Sequence, residues 1–210
     1  MTPDLMTSIL FYISLLFSLC VHEAAHAAMS TWCGDDTARL QGRLTLNPLS
    51  HIDPIGTVIL PLFLVLSGSG FLFGWAKPVP FNPSRLNNIR RDPVLIALAG
   101  PASNLLLAFL FILVTRLLSI TIGLESLPIG LLEFFYMTIL LNFILVVFNL
   151  IPVPPLDGHY VLDYFLPPGG QRVLRKIGPF GIIIAIFLAR PLFDVVVPVL
   201  REFIYTAIGL

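Results

Sequence analysis

The chain has 210 residues, 57% of them hydrophobic and only 11% charged, with no net charge at neutral pH, whereas an ordinary soluble domain carries roughly 25% charged residues. That balance excludes a soluble enzyme. Because the few basic residues sit in the joints between apolar stretches, it excludes a nucleic-acid-binding surface as well. A polytopic membrane protein, folded as one domain over residues 1–210 without internal repeats, accounts for it.

The first apolar stretch, residues 5–31, has no Pro or Gly from Thr7 to Trp32 and is predicted to be helical. It lacks the basic leading segment of a secretory signal, with Asp4 where Lys or Arg would stand, and is read as a retained membrane helix. Within it lies His22-Glu23-Ala24-Ala25-His26. Positions i and i+4 share a helix face, so the two imidazoles converge on one point, and Glu23 lies about 100° round the helix. This HExxH spacing supplies two neutral nitrogen ligands for a divalent metal. Its carboxylate is placed to take a proton from a water that the metal acidifies. Three ionisable groups in so short a piece of apolar helix are expensive in lipid and persist where they pair, coordinate or line a wet cavity. Cys20 and Cys33 have neither zinc-finger nor CxxC spacing and are read as packing residues.

Beyond this helix, Gly42–Asn47 alternates apolar and polar residues, and prolines hold Gly74-Trp-Ala-Lys-Pro-Val-Pro-Phe81 extended. Both are expected as short β-hairpin pieces beside the site, with an edge open to a substrate strand. Trp75 and Lys77 equally suit an anchor at the membrane surface. His51 and Asp53, between Pro48 and Pro54, are candidates for orienting a ligand imidazole, or in the case of Asp53 for starting a helix. The apolar stretch 55–73 contains Pro61 and ends in Ser67-Gly-Ser-Gly70. The stretch 94–120 carries Ala99-Gly-Pro-Ala-Ser-Asn104, in which Asn104 is read as a helix-packing residue. Residues 129–151 run into Asn149-Leu-Ile-Pro-Val-Pro-Pro-Leu-Asp157-Gly158, where prolines forbid continuous helix and leave backbone that is tolerable only beside protein or a watery cavity. The last stretch, 177–205, is interrupted by Arg190-Pro191 and Pro198.

A catalytic zinc takes three protein ligands and keeps a fourth position open. His51, Asp53, Asp157, His159 and Asp163 are candidates for the third, with Glu125 and Glu133 less well placed. Asp157 is favoured because it ends the broken helix. Asn149 serves either as a helix-end cap or as a donor to a developing oxyanion.

Taken together, His22-Glu23-x-x-His26, Gly42–Pro48, His51–Gly56, Gly74–Val79, Ala99–Asn104 and Asn149…Asp157-Gly158 resemble the site-2 protease family of intramembrane metalloproteases, in its compact bacterial and archaeal subgroup. The resemblance implies one Zn2+ per chain, held by His22, His26 and Asp157, with Glu23 as the base and Asn149 near the scissile carbonyl. It also implies transmembrane protein substrates, cut within or near the bilayer of a prokaryotic cell membrane. Two departures stand out: Thr31–Pro93 is too short for a PDZ domain beside its own apolar segment, and His159 stands where many relatives place glycine. A metal-ion transporter or channel is the alternative for the same cluster. Glu23 weighs against it, since a conduit needs no base beside its first histidine and would set ligands at several depths.

The ligand set constrains topology. If every apolar stretch crossed the bilayer, Asp157 would emerge on the face where the chain began, far from the histidines in the second half of the first helix. The conflict disappears if 55–73 is re-entrant. The expected fold is therefore an all-α polytopic membrane protein with four to five transmembrane helices, a re-entrant segment and short β-hairpin pieces near the active site. Arg39, Arg43, Lys77, Arg85, Arg90, Arg91, Arg172, Arg175 and Lys176 then fall on the metal side and Arg116 and Arg201 opposite, which places the active site toward the cytoplasm.

Overall fold

The computed structural model describes residues 5–67 and 74–209. Four helices among them are long and apolar enough to cross a membrane: α1 (Leu5–Trp32), α4 (Asp92–Thr121), α5 (Ile129–Asn149) and α8 (Gly181–Ile208). Shorter helices join them: α2 (Thr37–Leu40), α3 (Leu60–Leu66), α6 (Gly158–Phe165) and α7 (Pro168–Ile177). The last span, α8, is one continuous helix despite Pro191 and Pro198. Helix-breaking residues are tolerated there because lipid offers the backbone no other way to satisfy its hydrogen bonds.

The bundle is apolar outside and partly polar inside. Along α1 the buried positions include Ser8, Ser14, Ser18, His22, Glu23, His26 and Ser30, whereas Leu5, Met6, Ile9, Ile13 and Phe17 face outward. Small and polar side chains suit helix contacts in a bilayer, where apolar surface gains nothing by leaving lipid. Side-chain contacts fix the directions of the helices. Ser14 and Ser18 of α1 bond to Thr138 and Asn142 of α5, so these two run parallel, while His22 and His26 meet Asn104 and Ile96 of α4, which runs antiparallel. Ile204 and Ile208 of α8 pack with Ala108 and Ile139, and Ala185 and Ala189 pack with Ile151 and Leu156. Hence α8 begins at the metal end of the bundle and finishes at the far end.

Because α4 enters where α1 leaves, the chain between them returns to the side from which it started. Its apolar piece, a π-helical turn over Pro54–Ile59 (6 residues) followed by α3 (7 residues), reaches roughly 20 Å at ~1.5 Å per residue, short of a ~30 Å hydrocarbon core. The rest of the stretch expected to be re-entrant, 68–73, lies outside the described residues.

The expected β-hairpin pieces do not form: no strand occurs among the described residues. In Gly42–Asn47, Gly42 turns the chain at a φ of +69°. Thr45 and Asn47 then accept from the backbone N–H groups of Asn47 and Leu49 at 3.1 Å each, local bonds that compete with a ladder. Gly74–Phe81 is extended, but Pro78 and Pro80 remove alternate donors. The N–H groups that remain point elsewhere: Trp75 to the Gly56 carbonyl (3.2 Å), Lys77 to the His51 carbonyl (2.9 Å) and Val79 to a side chain of α1.

Candidate metal centre

Helical spacing on α1 sets the His22 and His26 rings 4.5 Å apart between centroids and nearly perpendicular, on the face buried against α4. His22 Nδ1 lies 2.6 Å from Asn104 Oδ1, and His26 Nδ1 lies 2.7 Å from the Ile96 carbonyl. Both partners are oxygens that only accept, so each Nδ1 carries the hydrogen and each Nε2 presents a lone pair. The two Nε2 atoms are 2.9 Å apart, and Asp157 Oδ2 is 3.2 Å and 3.4 Å from them. Three electron-rich atoms thus face one another, and Asp157 Oδ2 is buried without a hydrogen-bond partner.

A metal ion placed between them would satisfy all three. The spacings are close to the ~3.3 Å edge of a tetrahedron with ~2.0 Å bonds, and His, His and carboxylate are a zinc donor set. Gly100 of α4 supplies the room. A Cβ there would stand 2.5 Å from His22 Cε1, 2.5 Å from His26 Nε2 and 2.6 Å from His22 Nε2.

The loop carrying Asp157 is clamped from α8. Gly181 lies against the Pro154 carbonyl where no Cβ would fit, and Ile151 and Leu156 insert among Ala185 and Ala189. Such packing explains how backbone broken by prolines can still position Asp157.

Glu23 is 8% exposed, and its Oε2 accepts from the Val79 N–H at 3.0 Å. The extended segment over Gly74–Phe81 is therefore a shelf beneath the carboxylate. Buried Arg43 holds that shelf, donating to the Lys77 carbonyl and, at 3.2 Å, to the Pro78 carbonyl. Burial lowers the Arg43 pKa from its ordinary value while the nearby Glu23 carboxylate opposes the shift. Trp75 is locked too, its indole filling the space a Cβ on Gly56 would need and its carbonyl accepting from Thr57 Oγ1 at 2.7 Å.

Among the described residues, His22, His26 and Asp157 form the one cluster of three or more potential ligand side chains. His51 is elsewhere, with its Nε2 2.9 Å from the Thr45 carbonyl and its own carbonyl on the shelf. Asp53 caps the π-helical turn, accepting from Ile55 N (3.0 Å) and Gly56 N (2.7 Å). His159 bonds the Leu156 carbonyl at 2.6 Å and lines a cleft of about 330 Å³ with Tyr160, Asp163 and Arg175. Asn149 is half-buried, and its amide donates back to the Leu145 carbonyl at 3.0 Å. Residues that the motifs did not single out for chemistry are Asn104, which meets His22 directly, and Arg43.

Four apolar spans around a buried His/His/carboxylate centre, with a second carboxylate aimed beside it, define a membrane-embedded metallohydrolase. The chain belongs to peptidase family M50, whose profile matches residues 10–189, and it is a zinc metallopeptidase. Similar to it is the "Putative zinc metalloprotease YwhC" of Bacillus subtilis, 42% identical over 181 residues, which cover 84% of this chain and 78% of YwhC. The "Putative zinc metalloprotease Rip2" of Mycobacterium tuberculosis H37Rv is 37% identical over 178 residues, covering 83% of this chain and 64% of Rip2. That of Mycolicibacterium smegmatis is 34% identical over 175 residues, covering 82% and 63% respectively. No solved structure gives a significant match.

Proposed function

We propose that this protein hydrolyses peptide bonds of transmembrane proteins within or near the bilayer, with His22, His26 and Asp157 holding one zinc ion and Glu23 as general base. The observation that carries the reading is the convergence of two lone-pair nitrogens and an unpartnered buried carboxylate oxygen on one point. Bound zinc supplies a Lewis acid that acidifies a water and polarises the scissile carbonyl. Glu23 takes a proton from that water as its oxygen bonds to the carbonyl carbon. The same carboxyl then gives the proton to the departing amine as the C–N bond breaks. The Val79 N–H keeps one Glu23 oxygen engaged and so fixes the carboxylate plane during both transfers. Asn149 serves as a donor to the oxyanion, which requires its amide to turn from the Leu145 carbonyl.

The nine basic residues expected on the side of the His/Asp cluster favour an active site toward the cytoplasm. The donor-poor outer edge of Gly74–Phe81 makes the shelf a holder of Glu23 in preference to a template for a substrate strand.

The test compares wild type with Glu23→Gln in detergent, measuring bound zinc and cleavage of single-pass membrane substrates. Zinc retained at one per chain with cleavage reduced by about 10²–10⁴-fold supports the reading. Undiminished cleavage by Glu23→Gln removes Glu23 as base.

A further inference from the structure

The contact between Asn104 and His22 is the last link of a buried chain of hydrogen bonds that starts on α5. Ser14, Ser18, Asn104, Thr138 and Asn142 are all fully buried, at 0% exposure. Asn142 approaches the Thr138 carbonyl at 2.7 Å and Ser18 Oγ at 2.8 Å through one end of its amide. A backbone carbonyl only accepts, so that end is the NH2, and Asn142 Oδ1 is left facing Asn104 at 2.7 Å. There Asn104 must donate. Its NH2 end therefore points to Asn142, and also toward the Ser18 carbonyl at 3.4 Å, leaving Oδ1 for His22 Nδ1 at 2.6 Å. Each amide has one donor end and one acceptor end, so fixing the first fixes the second, and the second fixes which nitrogen of His22 carries hydrogen.

We infer that Asn142, which touches neither metal ligand nor substrate, is a positioning residue for the zinc site: it holds the Asn104 amide in the one orientation that leaves the His22 Nε2 lone pair on the metal. The proposal rests on His22 being a ligand. Partners that orient ligating histidines typically contribute about 10–100-fold to metal affinity. Asn142 acts one bond further out, through an amide that in its absence is free to turn its NH2 toward His22 and favour the wrong tautomer.

The test is zinc affinity by chelator competition on the full chain in detergent, together with the tautomer of His22 read from 15N imidazole shifts of the metal-free protein. Asn142→Leu is expected to weaken zinc binding about tenfold and to populate the Nε2–H form of His22. Asn142→Ser, too short to reach Asn104, is read in the same way if the leucine variant does not fold. In an Asn104→Asp background the result changes: a carboxylate accepts from His22 with either oxygen and has no orientation to lose, so Asn142→Leu causes no further loss. A packing defect would weaken binding equally in both backgrounds, and that result, or wild-type affinity in Asn142→Leu, overturns the proposal. Zinc bound as tightly by His22→Ala as by wild type overturns the ligand assignment as well, which separates the two failures.

Discussion

Replacing Gly100 by alanine should disable the metal centre while leaving the helix that carries it intact. In α4 the added Cβ would stand 2.5 Å, 2.5 Å and 2.6 Å from three atoms of the His22 and His26 rings. An ordinary carbon contact needs about 3.5 Å, so at least one imidazole must retreat by roughly 1 Å. A ring displaced by that distance cannot keep a ~2.0 Å metal bond. The expected result is a loss of zinc affinity greater than about 100-fold, beyond what is lost when a partner that merely orients a ligand is removed. The intrinsic effect on the helix has the opposite sign, since alanine favours helix over glycine by about 1 kcal/mol. Chelator competition for zinc and thermal unfolding of the metal-free protein, measured on the same preparations, separate these effects. Zinc affinity within about threefold of wild type, with normal cleavage, would refute the close approach of Gly100 to the ligands.

The shelf can be tested from both ends. Arg43→Gln loosens its clamp and Val79→Pro removes the N–H that engages Glu23, so each should lower kcat by about 10²-fold with KM and zinc content nearly unchanged, and the double variant should be little worse than either single one; additive losses would show that Arg43 does not act through Val79. Asp35, fully buried, accepts from Asn82 N and Thr37 Oγ1 at 2.5 Å each. Burial pushes its carboxyl up, but hydrogen bonds from Thr37, Asn82 and Ser30 more than offset this and lower the pKa overall. Its contribution to stability is therefore full above the unfolded-state value of about 4 and fades as pH falls through the lower folded value. Asp35→Asn should be less stable than wild type at about pH 7, with the difference in Tm shrinking below about pH 4; a constant difference from about pH 7 to about pH 3 would contradict the ionised assignment.

What could be read from the chain depended on how local the determining contact was. The two histidines follow from one helical period, and hydropathy marks five apolar stretches, of which four are long enough to cross a membrane. Asp157 was legible because prolines break the helix before it. Asn104 looked like a packing residue because its bond to His22 joins positions 82 residues apart, and nothing in Gly100–Asn104 says which helix lies opposite. Once α1 and α4 are paired antiparallel, an amide in an apolar helix at the depth of a ligand is the signal. For Gly74–Phe81 the prolines correctly implied extension, but they also removed the donors a hairpin needs, and the destination of Val79 N–H cannot be seen in the segment itself. Arg43 and Asp35 sit in joints between spans, where a charge is ordinarily solvated, and their burial comes from the packing of these joints against the metal end of the bundle.

The order in which the proposed ligands occur along the chain bears on its synthesis. His22 and His26 leave the ribosome early, with Gly100 and Asn104 next and Asp157 last. At about 5–20 residues per second, the roughly 130 residues between His26 and Asp157 take about 6–26 s to make. For that interval the nascent chain carries His22, Glu23 and His26 beside the translocation machinery with Asp157 still unmade, so on the proposed ligand set it becomes a peptidase only once the α5–α6 turn has been added.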